Sequence, residues 1–252
     1  MQVSCLFFVD GLFDKGITRG ELIEENEQNK DIHLTPTTVD EKTPKRFLYQ
    51  LLWAQRVYNF EYVMTIDDDM MLCFDRLIQD FKSAPRSNII WSRIHCEAPI
   101  IRPEDSLMMI SKDIVEKFLR QPAGAMQCHP KPDQQVALWV KQLKLTNTVD
   151  RVSRDTGVYY SDNVRIHRHP STKDTPAIKD GYNLCHKYLA IRWRDSWEAE
   201  ILWKNRGSDR GYPASELRNT CPTEDSFQEE ALADIYNVKP QLCSQIGGSR
   251  EL

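Results

Sequence analysis

No Cys-x-x-Cys pair occurs among the seven cysteines, Cys5, Cys73, Cys96, Cys128, Cys185, Cys221 and Cys243, so a structural zinc site is not encoded. Their spread suits one or two disulfides in a secretory lumen, or a set of buried thiols; the sequence does not choose. No run approaches the roughly 18 apolar residues needed to span a bilayer. The opening Met1-Gln2-Val3-Ser4-Cys5-Leu6-Phe7-Phe8-Val9 has no charged n-region and passes directly into Asp10-Gly11, so it reads as a strand and not a signal peptide. An Asn-x-Ser/Thr acceptor is also missing, which neither supports nor excludes a lumenal address. Basic clustering is absent too: the net charge is -4, with none of the footprint expected for nucleic-acid binding. There is no internal repeat and no long linker.

What is present is a chain of 252 residues, 40% hydrophobic and 28% charged. Those are the proportions of a soluble globular protein, and the length suits one large α/β domain, or one domain with a tail. Residues 3–9 read as a buried strand ended by the Asp10-Gly11 turn signal. Thr18 to Asn29 reads as an exposed Glu-rich helix, and Asp31 to Thr35 as a short strand stopped by Pro36. Phe47, Leu48, Leu51, Leu52, Ala54, Val57 and Tyr58 recur at three- and four-residue spacing, which predicts a helix over 44–58. Trp53 beside that face is read as packing. A third helix is predicted over 72–81, a strand over 88–92, and a strand over 106–110 that runs into a helix over 112–120, which Ser111 can cap. The stretch 122–132 is a loop, and Asp133 stands at the N-cap position of a helix over 134–143. Farther on, 164–167 and 182–191 read as strands. The last 45 residues are loop-rich, with one helix over about 226–237. Domain bounds are placed at 1–195 and 196–252.

The chain is organised around Tyr62-Val63-Met64-Thr65-Ile66-Asp67-Asp68-Asp69. A β-branched and aromatic run reads as a buried strand, and it stops at three carboxylates that a core cannot hold without a counter-charge. They belong at the carboxyl end of the strand, where open α/β sheets bind ligands, facing solvent or a hard cation such as Mn²⁺ or Mg²⁺. A merely acidic turn is the competing reading. Strand alternation sends Asp68 to the opposite face from Asp67 and Asp69.

Phe60 to Asp69 resembles the metal-binding segment of the β-1,3-galactosyltransferase and fringe-like family of inverting, nucleotide-sugar-dependent glycosyltransferases. Asp105 to Asp113 resembles the strand-to-helix segment that follows it. Pro132-Asp133-Gln134-Gln135-Val136-Ala137-Leu138-Trp139 resembles the family's later acidic motif, and Asp150 to Gly157 a stretch of its core-1 branch. The likeness covers about residues 3–190. It implies an α/β, glycosyltransferase A-type, Rossmann-like fold with a mostly parallel central sheet flanked by helices. It also implies transfer of a hexose or N-acetylhexosamine from a UDP-sugar to a glycan or glycoprotein hydroxyl, through a β-1,3 linkage. Under it Asp69 is a direct ligand of Mn²⁺ or Mg²⁺, Asp67 contacts the metal or the nucleotide, and Asp68 lies at the cofactor. His186 in Leu184-Cys185-His186-Lys187-Tyr188 is the third metal ligand, with His169 as the competing site. Asp133 is the general base, against the plainer reading of a helix N-cap. A Golgi lumenal domain behind a membrane anchor absent from these residues is implied as well.

Two departures stand out. Arg102-Pro103-Glu104-Asp105 replaces the family's glycine-rich stretch, and the family's first strand would lie before residue 1. Both favour a catalytically inactive relative that binds a glycan or scaffolds a partner. A metal-dependent phosphohydrolase is the remaining rival, and it would need a second ligand cluster. Arg165, Arg168 and Arg192 are candidate phosphate partners, with surface salt bridging as the plainer role. Trp193 and Trp197, four apart, would share a helical face and, with Trp139 and Trp203, either stack on sugars or pack in a core.

Overall fold

The computed structural model describes residues 3–12, 19–38, 44–82, 86–95, 102–122, 124–129, 131–143, 145, 166–167, 185, 190–193, 195–204, 206–207 and 240–245. They form a mixed α/β structure in two compact units, one drawn from 1–60, 115–143 and 228–252, the other from 61–114 and 144–227. No helix among the described residues is long and apolar enough to cross a membrane.

In the first unit, β1 (Phe7–Leu12), α1 (Arg19–Asn29) and β2 (Ile32–Thr38) make a strand–helix–strand step whose two strands pair in parallel. The strand over 3–9 was expected to be buried and to end at Asp10-Gly11. Instead Val3 and Phe7 are exposed, and β1 runs through the Asp-Gly pair. The reason is an irregularity of register between Asp10 and Leu12, since a glycine in a strand is suited to a bulge. Pro36, expected to stop β2, lies inside it, between the Asp10–Thr35 and Leu12–Thr38 pairs that flank the irregularity. Proline is tolerated where a ladder is already broken.

The periodic helix is present as α2 (Pro44–Val57). It buries Phe47, Leu48, Leu51 and Ala54. Phe47 stacks at 5.9 Å on Trp139 of α5 (Pro132–Gln142), whose ring also meets Phe118 of α4 (Lys112–Leu119) at 5.1 Å. The Trp139 indole N–H donates to the Gln127 carbonyl at 2.7 Å, so the largest core side chain leaves no buried donor unmet. Gln127 begins β7 (Gln127–Cys128), which pairs antiparallel with β10 (Gln241–Leu242). A Cys128–Cys243 disulfide secures that pairing.

The second unit holds the acidic strand, β3 (Tyr62–Ile66). It pairs with β6 (Arg102–Ser111), which pairs on its other side with β5 (Ile90–His95), and both pairings are antiparallel. The expected parallel strand–helix–strand order therefore does not extend to the acidic strand. A second small sheet joins β4 (Met70–Leu72), β9 (Ala190–Arg192) and β8 (Ile166–His167). Because alternate residues of a strand face opposite ways, Met70 and Leu72 enter one core with Leu77, Trp91, Leu107 and Met109. Met71 enters another with Ile191, Leu202 and the Cys73–Cys185 disulfide. Leu77 comes from α3 (Phe74–Lys82), and Leu202 from α6 (Ser196–Lys204).

At the β6–α4 junction the Ser111 hydroxyl donates to Asp113 at 2.6 Å and accepts from the Ile89 amide at 3.1 Å. Asp113 also accepts from the Asn88 amide at 3.0 Å. These side chains thus fix the entry to β5, where Asn88 has a left-handed φ of 55°, a conformation asparagine tolerates. The helix expected over 226–237 lies outside the described residues.

Candidate functional site

Strand β3 does not stop cleanly at Ile66. The Asp67 amide donates to the Ser106 carbonyl at 3.0 Å, one rung beyond the last strand pair. The chain then turns through Asp68 and Asp69, closed by the Met70 amide donating to the Asp67 carbonyl at 3.2 Å, and re-enters a sheet as β4. On the far side, the Trp193 amide donates to the Asp69 carbonyl at 2.9 Å, extending the β4–β9 ladder. Backbone hydrogen bonds therefore pin both ends of the acidic turn, one to each small sheet.

This turn aims Asp67 and Asp69 at one point, and the guanidinium of Arg192 is at that point. Its Nε donates to Asp69 Oδ1 at 2.9 Å, and its Nη2 pairs with Asp67 Oδ2. The two carboxylates are 41% and 40% exposed and Arg192 29%, so the cluster is half-buried and reached by water. Asp68 is exposed and takes no part in the fork, as strand alternation predicts. The counter-charge that three adjacent carboxylates demand is supplied by the chain itself.

Burial pushes the Asp67 carboxyl above its usual range. The Arg192 charge opposes that shift, and Asp105, Asp69 and Asp68 add to it. Burial works against the charged form of Arg192, but the hydrogen bond to Asp69 and the fields of Asp69, Asp67 and Asp105 outweigh it and hold the guanidinium more firmly protonated than usual. Asp105, half-buried on β6 next to the Ser106 rung, thus adds its negative field to the cluster.

A hard divalent cation fits the donor set. Asp67 and Asp69 present carboxylate oxygens to neighbouring nitrogens of one guanidinium, and hard oxygen donors of this type are the ones Mg²⁺ and Mn²⁺ take when water and phosphate complete the shell. Among the described residues no group of three His, Cys, Asp or Glu side chains is placed to hold a metal. His186 and His169, with Arg165 and Arg168, lie outside the described residues.

Asp133 belongs to the other compact unit and is not the helix cap. The N-cap of α5 is Lys131, with extended backbone and no side-chain cap, and Pro132 takes the first helical position. Proline suits that position because its missing N–H would have no helical partner. Asp133 is thus in the first turn, where a carboxylate complements the helix dipole. It is only 2% exposed, and its Oδ2 accepts from the Gln134 amide group at 3.1 Å. Just upstream, His129 Nδ1 accepts from the Lys131 amide at 3.1 Å, which places the ring proton of a neutral imidazole on Nε2.

The tryptophans divide. Trp139 is core, and Trp193 precedes α6 and packs on the cluster around Ile191. Trp197 and Trp203 are exposed on α6. Trp193 and Trp197 share no helical face, because the helix starts only at Ser196.

Arg192 is the residue whose role the sequence concealed, although it is visible there as one of three candidate phosphate partners. The strand read over 182–191 ends just before it, and only the ladder of β9 to β4 carries Arg192 to the acidic turn. Asp105 carried a weaker signal still, an acid one residue before the apolar run of β6. No protein-family model and no curated protein matches this chain, so its chemistry is argued from these side chains.

Proposed function

We propose that the chain is an inverting glycosyltransferase of the A-type fold. It would transfer a hexose or N-acetylhexosamine from a UDP-sugar to an acceptor hydroxyl, with Mn²⁺ or Mg²⁺ at the Asp67–Asp69 pair. The observation that carries the reading is the convergence of those two carboxylates at the end of β3. When bound, the cation neutralises charge developing on a departing nucleoside diphosphate. The protein's own part is positional. Ladder hydrogen bonds on both sides keep Asp67 and Asp69 from drifting apart. Asp68, exposed beside them, is free to meet the nucleotide. Asp133 is assigned the role of general base, taking the acceptor's proton; its burial suits a base that works with water excluded. Two disulfides, Cys73–Cys185 and Cys128–Cys243, fit an oxidising compartment such as the Golgi lumen. A β-1,3 linkage follows from the family resemblance alone.

One observation favours a second reading. Arg192 already satisfies the carboxylate pair, as it would in an inactive relative that keeps the acidic turn as a structural ion pair. Calorimetric titration with UDP separates the two. The transferase reading expects binding in Mn²⁺ that disappears with chelator. An inactive relative gives no heat in either condition.

A further inference from the structure

Arg192 occupies the point where the transferase reading needs a cation, and it does so in a form that can be released. Its backbone is held independently of its side chain, by the Met70–Arg192 pair of the β4–β9 ladder and by the Trp193 amide on the Asp69 carbonyl. The side chain is 29% exposed, and the carboxylates it grips are about 40% exposed, so water can solvate either partner as they separate. Ion pairs in such half-open positions are weak compared with the bonds a hard cation makes to two converging carboxylates. Once displaced, the guanidinium stays tethered within a side chain's length of Asp67 and Asp69. Its planar donor fork matches phosphate oxygens as well as it matches carboxylates.

Resting on the transferase reading, we propose that Arg192 is a diphosphate-binding residue released by the metal. In the metal-free chain it closes the Asp67–Asp69 pair; a divalent cation displaces it, and the freed fork binds the phosphates of the nucleoside diphosphate. Cation and nucleotide then bind in that order. Arg192 opposes the first step and assists the second. A purely structural ion pair would also oppose the cation, but it would do nothing for the second step, so UDP affinity at saturating Mn²⁺ and the comparison of Arg192→Lys with wild type separate the two roles.

The test measures Mn²⁺ binding by electron paramagnetic resonance and UDP binding by calorimetry at saturating Mn²⁺, in wild type, Arg192→Gln and Arg192→Lys. Circular dichroism and thermal melting verify that each variant is folded. Losing one charge-assisted contact in each direction changes affinity by about tenfold or more. Arg192→Gln is expected to bind Mn²⁺ about tenfold more tightly and UDP about tenfold more weakly. Arg192→Lys, which keeps the charge and loses the fork, falls between. Should Arg192→Gln bind Mn²⁺ no better than wild type, or UDP just as well, the exchange is overturned while the metal-dependent reading stands. If neither wild type nor Arg192→Gln binds Mn²⁺, the reading and the exchange fall together. Should Arg192→Gln be unfolded, Arg192→Lys decides by the same two affinities.

Discussion

Two aspartates of this chain carry the chemical argument, and they live in opposite environments. Asp69, with Asp67, sits on a turn between two small sheets, half-exposed and gripped by a guanidinium. Asp133 sits in the first turn of α5, buried, with a neutral amide as its hydrogen-bond donor. The difference separates two kinds of acid. A half-exposed carboxylate with a half-exposed counter-charge can exchange that partner for a ligand, whereas a buried one at a helix terminus keeps its place and can take a proton only from something brought to it. The first suits binding and the second suits base catalysis.

The sharpest way to break the comparison is Asp133→Asn. As the base, Asp133 should lose about 10²–10⁴-fold in turnover while UDP and Mn²⁺ bind as in wild type; equal losses in binding would make it a structural helix residue. The disulfides test the same division through stability. They close loops of similar span, with sequence separations of 112 and 115, so removing either as a Cys-to-Ala pair should cost about 2–5 kcal/mol by denaturant titration. Only loss of Cys73–Cys185 should also weaken Mn²⁺ binding, because Cys73 follows β4 directly and leads into α3 close behind the acidic turn. Weakening by both would mean that the units do not act separately. A stability loss of the same order, about 2–5 kcal/mol by denaturant titration, is expected from Leu202→Ala, since Leu202 fills the cluster behind Met71.

The smallest effect concerns His33. It stacks on Tyr49 and lies tilted against Trp53 at 4.5 Å, with Nε2 hydrogen-bonded to the Tyr49 hydroxyl at 3.0 Å. Burial lowers its pKa from 6.5. A depressed folded pKa means that the unfolded chain binds the proton first, so this contribution is present above about pH 6.5 and lost as pH falls through the folded value. Denaturation midpoints should decline on acidification below that point, and His33→Gln should flatten the decline.

Legibility followed element length. Strand β3 and helix α2 were readable because five residues of β-branched and aromatic character, or seven apolar anchors at helical spacing, leave little choice. The 44–58 helix lies within a residue of α2, and the acidic run matches β3 at both ends, although β3 is half-buried along its length where a buried strand is expected. Met70–Leu72 is not legible as a strand because three residues carry no periodicity, and the strand read over 182–191 stops one residue short of Arg192; it is the pairing of β4 with β9 that brings Arg192 to the acids. The antiparallel direction of β3 was equally out of reach, since its partner β6 lies some forty residues away and strand direction is set by tertiary pairing. The cap of α5 was misread by two positions, because Asp is a favoured cap residue but Pro132 claims the first helical position.

The measurement that bears most directly on the Asp67–Asp69 site is release of UDP from a UDP-sugar in Mn²⁺, in wild type and in Asp69→Ala, with transfer to water counted as well as transfer to acceptor. The account predicts metal-dependent release by wild type and its loss in a folded Asp69→Ala variant. Release that persists in Asp69→Ala, or that ignores chelation of the metal, would contradict it.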